Sequence, residues 1–269
     1  MTVELTGGVA NRGRVFRVGN TVHRPLANPH RARHQVLDHL RTAGFLAAPI
    51  LLEVRGPVEV LSWIPGCPAR LPLPEWALDD ELLISVAELV AGFHRAMTSF
   101  DGTDQEWPAD AVPVAYRDGS VSHNDLHPGN IVFDGSSAVG LIDFDLAGPG
   151  SVAWDLATLA RNFCPLQDDL DMPARLLGRR IARFDLLLDA YGADAALRAA
   201  VGQALVANHD WTYRIVTDAA LGGHAGFRHF WSTVAGRARR ERRWIAAHVD
   251  ALAGQRGGAR RESPPAGRR

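Results

Sequence analysis

Residues 121–157, VSHNDLHPGNIVFDGSSAVGLIDFDLAGPGSVAWDLA, decide how the rest of the 269-residue chain is read. The stretch opens on His123-Asn124-Asp125, and Asn130 follows Asp125 with four residues between. Two short apolar runs, 131–133 and 139–142, flank the turn signal Asp134-Gly135-Ser136, which is the pattern of a β-hairpin. The second run delivers Asp143-Phe144-Asp145. A hairpin returns the chain to its starting point, so Asn130 and Asp143 are expected to converge beside Asp125. An amide oxygen and a carboxylate meeting next to a second carboxylate supply hard oxygen ligands for a magnesium-nucleotide site and a base for an attacking hydroxyl. A competing reading takes His123, Asp125 and His127, at alternate positions, as the metal-ligand cluster of a hydrolase. It leaves Asn130, Asp143 and the downstream Asp155-Leu156-Ala157 without a role.

On those residues, H-x-D-x-x-x-x-N followed by I-D-F resembles the catalytic loop and metal aspartate of the protein-kinase superfamily. The fuller string HNDLHPGN…LIDFD…WDLA is similar to the aminoglycoside phosphotransferase and choline kinase branch, with Asn124 standing where that branch has glycine. The resemblance implies an α+β bilobal fold with a small β-rich N-lobe and a larger helical C-lobe. It implies Asp125 as the catalytic base, Asn130 and Asp143 as holders of Mg2+, and Asp155 as the anchor of the catalytic loop. Asp145, where many kinases have glycine, is expected to assist the metal site. The implied activity is ATP-dependent transfer of the γ-phosphoryl group to a hydroxyl of a small molecule, such as an aminoglycoside-like or other antibiotic, with GTP as an alternative donor. A protein kinase is disfavoured, since no A-P-E follows Asp143.

Composition sets the bounds. At 46% hydrophobic the chain can bury a substantial core and is long enough for two lobes. It has no apolar run of roughly eighteen residues, and its opening MTVELTGGVANRG lacks a signal peptide's apolar stretch, so a cytoplasmic protein without a membrane partner is expected. Cys67 and Cys164 have neither disulfide nor zinc spacing and read as packing residues. Ten of the 29 basic residues and three of the 30 acids fall after residue 236, which leaves the preceding body at a net charge of −8. An acidic body suits a cationic small molecule, and the tail RGGARRESPPAGRR reads as a solvated, disordered end rather than a nucleic-acid arm. The chain contains no lysine.

The N-terminal third reads as short strands around glycines. A strand, the loop bearing Gly7-Gly8 and Gly13, and a hairpin turning at Gly19-Asn20 come in the order in which kinases cover nucleotide phosphates. The resemblance assigns Gly8 and Asn11 to that loop and Arg24 to the strand position of the family's phosphate-binding lysine. The following helix, about 30–42, normally supplies a glutamate to that lysine. Here it carries Arg33 and His34 and only one acid, Asp38, so the usual ion pair cannot form and Arg24 is expected to have no carboxylate holding it from the phosphates. The alternative for Arg24 is a solvent-facing strand end. Two more strands lead into Ser62-Trp63-Ile64-Pro65-Gly66, which resembles the interlobe hinge, with the main chain of Ser62 and Ile64 bracketing the adenine edge. The boundaries expected are an N-lobe at 1–61, a hinge at 62–71, a C-lobe at 72–253 and a tail at 254–269.

The C-lobe opens with a helix at about 79–97 whose apolar stripe marks core, with His94 a satisfied core histidine on it. Beyond Asp155, helices are expected at about 154–163, 174–191, 194–217 and 226–253. The loop between the first two places Asp168, Asp169 and Asp171 within four residues, either as contacts to amino groups of a cationic acceptor or as a solvated loop with a helix cap. Asn208, His209, Asp210, Trp211 and Tyr213 form a second polar-aromatic group expected to face the cleft. Because the lysine and glutamate are missing, a rival function is a non-catalytic immunity or binding protein on the same scaffold, akin to bacterial peptide-toxin immunity proteins.

Overall fold

The computed structural model describes residues 2–5, 13–70, 72–108 and 112–254. Five strands, β1 (Thr2–Glu4), β2 (Phe16–Val18), β3 (Thr21–Pro25), β4 (Leu51–Arg55) and β5 (Val58–Ser62), form one antiparallel sheet in the order β1-β2-β3-β5-β4. Gly19, at φ +60°, makes the two-residue turn that pairs Val18 with Thr21, a backbone that favours glycine and sets the β2–β3 register. Helix α1 (Arg31–Thr42) lies between β3 and β4 in the chain and buries Ala32, Val36, Leu37 and Leu40, one face at helical spacing.

The chain then crosses to a mainly helical body. β6 (Cys67–Pro68) pairs with β8 (Ile131–Asp134), which pairs with β9 (Ser137–Leu141), the hairpin legible around Gly135. Gly66, at φ +130°, passes so close to β8 that a Cβ would sit 2.4 Å from the Phe133 carbonyl oxygen. Cys67 is exposed on this strand and so is not the packing residue expected, whereas Cys164 is buried. Helix α2 (Asp80–Met97) carries Asp80 and Glu81 in its first turn, where the dipole favours them, and buries Leu82, Leu83, Val86, Val90, Phe93 and Met97. A further two-stranded ladder, absent from the sequence reading, joins β7 (Ser120–Ser122) to β10 (Gly148–Gly150) on either side of the catalytic-loop stretch.

Helices α3 (Val152–Phe163), α4 (Arg180–Tyr191), α5 (Ala195–Leu221) and α6 (Ala225–Leu252) complete the body. The expected start of α4 at residue 174 is wrong. Gly178, at φ +74°, breaks the chain there, leaving a short turn at Ala174–Leu176 before the helix proper. α5 also runs one turn further than expected. Ser151 caps α3 by accepting from the Trp154 N–H at 3.2 Å, and Asp194 caps α5 by accepting from the Leu197 N–H at 2.8 Å. Among the described residues no helix is long and apolar enough to cross a membrane.

Candidate active site

The 123–125 turn is held from below by one carboxylate. Asp155, fully buried on the first turn of α3, accepts from the His123 N–H at 2.9 Å and the Asn124 N–H at 2.7 Å, and takes His94 Nε2 at 3.1 Å. A buried carboxylate costs several kcal/mol unless such donors satisfy it, so the D-L-A aspartate and the loop amides require each other. His94 is the satisfied core histidine expected, its other nitrogen 2.9 Å from the Tyr191 hydroxyl.

Asn124 occupies φ +65°, which explains both the glycine of the related pattern and its replacement here, because asparagine tolerates the left-handed region better than most residues. Its Nδ2 donates to the carbonyls of Leu146 at 3.0 Å and Gly148 at 3.2 Å. The side chain leaves no room opposite: a Cβ on Gly150 would lie 2.6 Å from Asn124 Oδ1. His123, wholly buried, accepts from the Asp125 N–H at Nδ1 and reaches the Ile142 carbonyl with Nε2 at 3.1 Å. Both ring nitrogens are thus engaged in loop architecture, and no cluster of three or more His, Cys, Asp or Glu suited to a metal exists among the described residues. The hydrolase reading falls on that geometry.

Asp125 and Asn130 meet side chain to side chain, and the backbone after Ile142 carries Asp143 past them. Asn130 Nδ2 donates to Asp125 Oδ2 at 2.9 Å and to the Asp125 carbonyl at 3.0 Å, and the Ile142 N–H donates to the Asn130 carbonyl at 2.9 Å. Asp143 follows directly, at φ +63°, a strained position for a non-glycine residue of the kind found at functional sites. With Nδ2 committed to Asp125, the Asn130 amide offers its oxygen, and Asp143 a carboxylate, which are the hard donors magnesium prefers. Two protein oxygens fit an ion that keeps its other positions for water and phosphate. Burial acts to raise the Asp143 pKa, but the Arg24 guanidinium, helped by His123 and His127, outweighs it and holds the group below the usual carboxylate range, and therefore charged.

The N-lobe contribution differs from expectation. Arg24 is 8% exposed, so it does not point to solvent, and it does not lack a carboxylate. Its Nε donates to Glu59 Oε1 at 2.6 Å, Nη1 to Asp143 Oδ1 at 2.9 Å, and Nη2 to Asp145. The missing helix acid is supplied by Glu59 of β5, fully buried, while α1 supplies its partners instead: Arg33 Nη2 and His34 Nε2 each lie 2.7 Å from Glu59 Oε2. Arg33 Nη1 also donates to Asp145 Oδ1 at 2.6 Å. Burial pushes the Glu59 pKa up, but Arg24 and Arg33 prevail and hold it below its ordinary value. Asp145 moves the other way, raised by burial and by the charge of Asp143. Glu59 was missed in the sequence although it carries a signal, a lone acid inside the apolar run Val58-Glu59-Val60-Leu61.

Elsewhere the structure separates what the sequence grouped. Gly8 and Asn11 lie outside the described residues. Ser62 is the last residue of β5, and its N–H donates to the Ile50 carbonyl at 2.9 Å. The Ile64 side chain lies over β9, where a Cβ on Gly140 would meet it at 2.8 Å. Arg17 covers Trp63, its guanidinium 4.4 Å from the ring centre. The acids expected to hold a cationic acceptor are already occupied. Asp168 caps a turn by accepting from the Leu170 N–H, Asp169 pairs with Arg180, and Asp171 holds Arg240 in a bidentate pair at 2.7 and 2.6 Å. His209 is buried with Nε2 on the Ala238 carbonyl at 2.9 Å, and Asp210 takes Arg242 at 2.7 and 2.8 Å, so neither is free to face a ligand as expected. Burial, with Arg161 nearby, pushes the His209 pKa down and keeps it neutral.

Comparison with known proteins places the chain among relatives. A family model described as "Phosphotransferase enzyme family" matches residues 103–197, which include every residue of the catalytic-loop stretch. The chain is 32% identical over 198 residues, 70% of its length and 73% of the relative's, to the trifolitoxin immunity protein of Rhizobium leguminosarum bv. trifolii. In fold it is similar to a choline/ethanolamine kinase family protein from Mesorhizobium loti, with a TM-score of 0.63 at 18% identity, covering 94% of this chain and 92% of that one. It is also similar to an amicoumacin kinase in complex with AMP-PNP, Ca2+ and Ami, with a TM-score of 0.59 at 14% identity, covering 95% and 88%. The sheet-plus-helix architecture is therefore the bilobal kinase-like fold, residues 103–197 match the phosphotransferase enzyme family model, and the chain belongs to the same family as the trifolitoxin immunity protein.

Proposed function

We propose that this chain transfers the γ-phosphoryl group of ATP to a hydroxyl of a small molecule, with Asp125 as base and with Asn130 and Asp143 as the holders of Mg2+. The observation that carries this reading is the Asn130 side chain bonded to Asp125 Oδ2 at 2.9 Å, with the Asn130 carbonyl accepting from the N–H of Ile142, the residue before Asp143. That bond fixes the carboxylate and leaves Oδ1 to take the proton of an incoming hydroxyl. Asp155, through the amides of residues 123 and 124, keeps the turn from moving as the acceptor binds. A bound magnesium ion would supply charge neutralisation at the phosphate oxygens. Arg24 adds a fixed positive charge at the edge of the same space, held at three points by Glu59, Asp143 and Asp145. GTP is the alternative donor. We divide the chain into an N-lobe at 1–61, a hinge at 62–71 and a C-lobe at 72–253, and place the reaction in the cytoplasm.

A second reading has an observation in its favour. The Arg24 guanidinium is saturated by carboxylates, and the relative that shares 32% identity is named an immunity protein, so a binding protein that protects against an antibiotic without phosphorylating it is the rival. Thermal-shift titration with Mg-ATP and Mg-GTP, with and without aminoglycoside, choline and cyclic-peptide acceptors, separates the two. A metal-dependent nucleotide shift followed by acceptor-dependent ATP consumption supports the kinase. Stabilisation by an antibiotic alone, with no nucleotide response, supports the rival.

A further inference from the structure

Glu59, Asp143 and Asp145 draw on the same two guanidinium groups, and they draw on them unequally. Glu59 is met by Arg24, Arg33 and His34, and Asp145 by Arg24 and Arg33. Asp143 has one ion pair among the described residues, from Arg24 Nη1 to its Oδ1 at 2.9 Å. Departure of Arg24 would therefore leave Glu59 and Asp145 still partnered and Asp143 without its ion pair. Asp143 is also the most open of the three, its side chain 38% exposed against 27% for Asp145 and none for Glu59. The acid that solvent reaches best is the one whose charge rests on Arg24.

The anchoring of Arg24 allows an exchange at that point. Its Nε is tied to Glu59 Oε1 at 2.6 Å, whereas Nη1 and Nη2 reach across to the segment after β9. Exchange of the anions on Nη1 and Nη2 leaves the bond to Glu59 intact. Arg33 stays between Glu59 Oε2 at 2.7 Å and Asp145 Oδ1 at 2.6 Å, and so keeps both of those acids neutralised. Asp143 carries a single negative charge, and a divalent cation brought to it meets the guanidinium already there, positive charge against positive charge. Arg24 is buried, so giving up Asp143 is costly unless another anion takes its place. A triphosphate is such an anion, because a guanidinium fork binds phosphate oxygens as it binds a carboxylate.

We propose that Arg24 decides what the site admits: it competes with a divalent cation for Asp143, so that the site takes the metal together with a triphosphate and rejects the metal alone. The identity of the two ligands rests on the phosphotransfer reading above; the competition rests on the ion pairs of Arg24. The two bindings are then coupled through this one side chain. Arg24 freed from Asp143 is available to phosphate, and Arg24 held by phosphate leaves Asp143 available to metal, each ligand helping the other by the same factor. Asp145, still paired with Arg33, stays outside the exchange.

The test is binding of Mn2+ by the full chain with no nucleotide present, read as loss of the free-ion signal in electron paramagnetic resonance. Arg24→Gln should bind Mn2+ at least about tenfold more tightly than the wild type, and adding Asp143→Asn to Arg24→Gln should abolish the gain. Calorimetry of ATP with and without saturating Mg2+ completes the cycle. The factor by which Mg2+ raises ATP affinity should be about tenfold larger in the wild type than in Arg24→Gln. Should Arg24→Gln fail to fold by circular dichroism, Arg24→Lys takes its place. Its point charge cannot hold Glu59 and Asp143 together as the fork does, and a gain of at least about threefold is expected. Equal Mn2+ affinity in the wild type and the Arg24 variant, a gain that survives Asp143→Asn, or an equal Mg2+ factor for ATP overturns the proposal. Any of these in a wild type that still binds Mg-ATP leaves the phosphotransfer reading standing. A gain located at Asp143 in a protein that binds no ATP, with or without magnesium, leaves the competition standing and counts against the phosphotransfer reading.

Discussion

Glu59 and Asp155 are both entirely withdrawn from solvent, and both anchor a residue of the site, yet they are satisfied by different partners. Asp155 is met by two backbone amides and one imidazole, all within the helical body. Glu59 is met by three side chains, Arg24 from β3 and Arg33 and His34 from α1. Backbone amides cannot turn away from their acceptor without unfolding the loop, so Asp155 fixes geometry. Guanidinium forks can redistribute among nearby anions, and here Arg24 and Arg33 already divide themselves between Glu59 and the pair Asp143 and Asp145. The helical half of the site is thus built as a rigid frame, and the sheet half as a network of guanidinium–carboxylate pairs, which on the proposed function an entering phosphate would have to compete for.

The comparison breaks first at Glu59. Glu59→Gln leaves two buried guanidinium groups short of a charged acceptor, and we expect a loss of about 3–5 kcal/mol in urea unfolding. The same variant tests the charge directly. The Glu59 pKa is held below its ordinary value of 4.5, so its stabilisation is complete above pH 4.5 and is lost as pH falls through the lower folded value. The gap between wild type and Glu59→Gln should accordingly narrow below pH 4.5. A gap that stays constant into acid would mean that shape, not charge, is what Glu59 supplies.

Asp155→Asn should cost less stability, about 1–3 kcal/mol, because its amide still accepts from one backbone N–H and turns a donor toward the other. It should slow transfer while leaving Mg-ATP affinity near wild type, the signature of a frame. Arg24→Ala should weaken Mg-ATP binding by at least about tenfold, roughly 1.4 kcal/mol. Arg24→Lys should recover part of this, since a point charge cannot span three carboxylates as the fork does. Unchanged affinity in Arg24→Ala would mean that this guanidinium takes no part in nucleotide binding. The smallest effect is the coupling of Asn124 and Gly150. Gly150→Ala drives a Cβ to within 2.6 Å of Asn124 Oδ1. In the Asn124→Gly background it should be better tolerated, with a coupling of about 1 kcal/mol in a double-mutant cycle.

What the sequence made legible divides along the same line. The hairpin and the meeting of Asn130 with Asp125 are local, set by a turn and a spacing of five residues, and they stand in the structure as read. So does the tie from Asp155 to the loop, carried by a motif in register. The Arg24 partners lie 35, 119 and 121 residues away in the chain, and no spacing rule links them. The related pattern points to an acid in α1, whereas the acid stands on the neighbouring strand. The engagement of Asp169, Asp171 and Asp210 was hidden for a related reason. A count of carboxylates does not reveal that Arg180, Arg240 and Arg242 arrive from other turns and helices to close them.

On the proposed function, Asp143 belongs to a magnesium-nucleotide site and Asp125 is the base. Calorimetric titration of ATP, with and without magnesium, into wild type, Asp125→Asn and Asp143→Ala tests this most directly. The expected outcome is magnesium-dependent binding by the wild type, affinity within about threefold of it for Asp125→Asn, and a loss of at least about tenfold for Asp143→Ala. Absence of magnesium-dependent binding in the wild type, or an Asp143→Ala protein that binds as the wild type does, would contradict it.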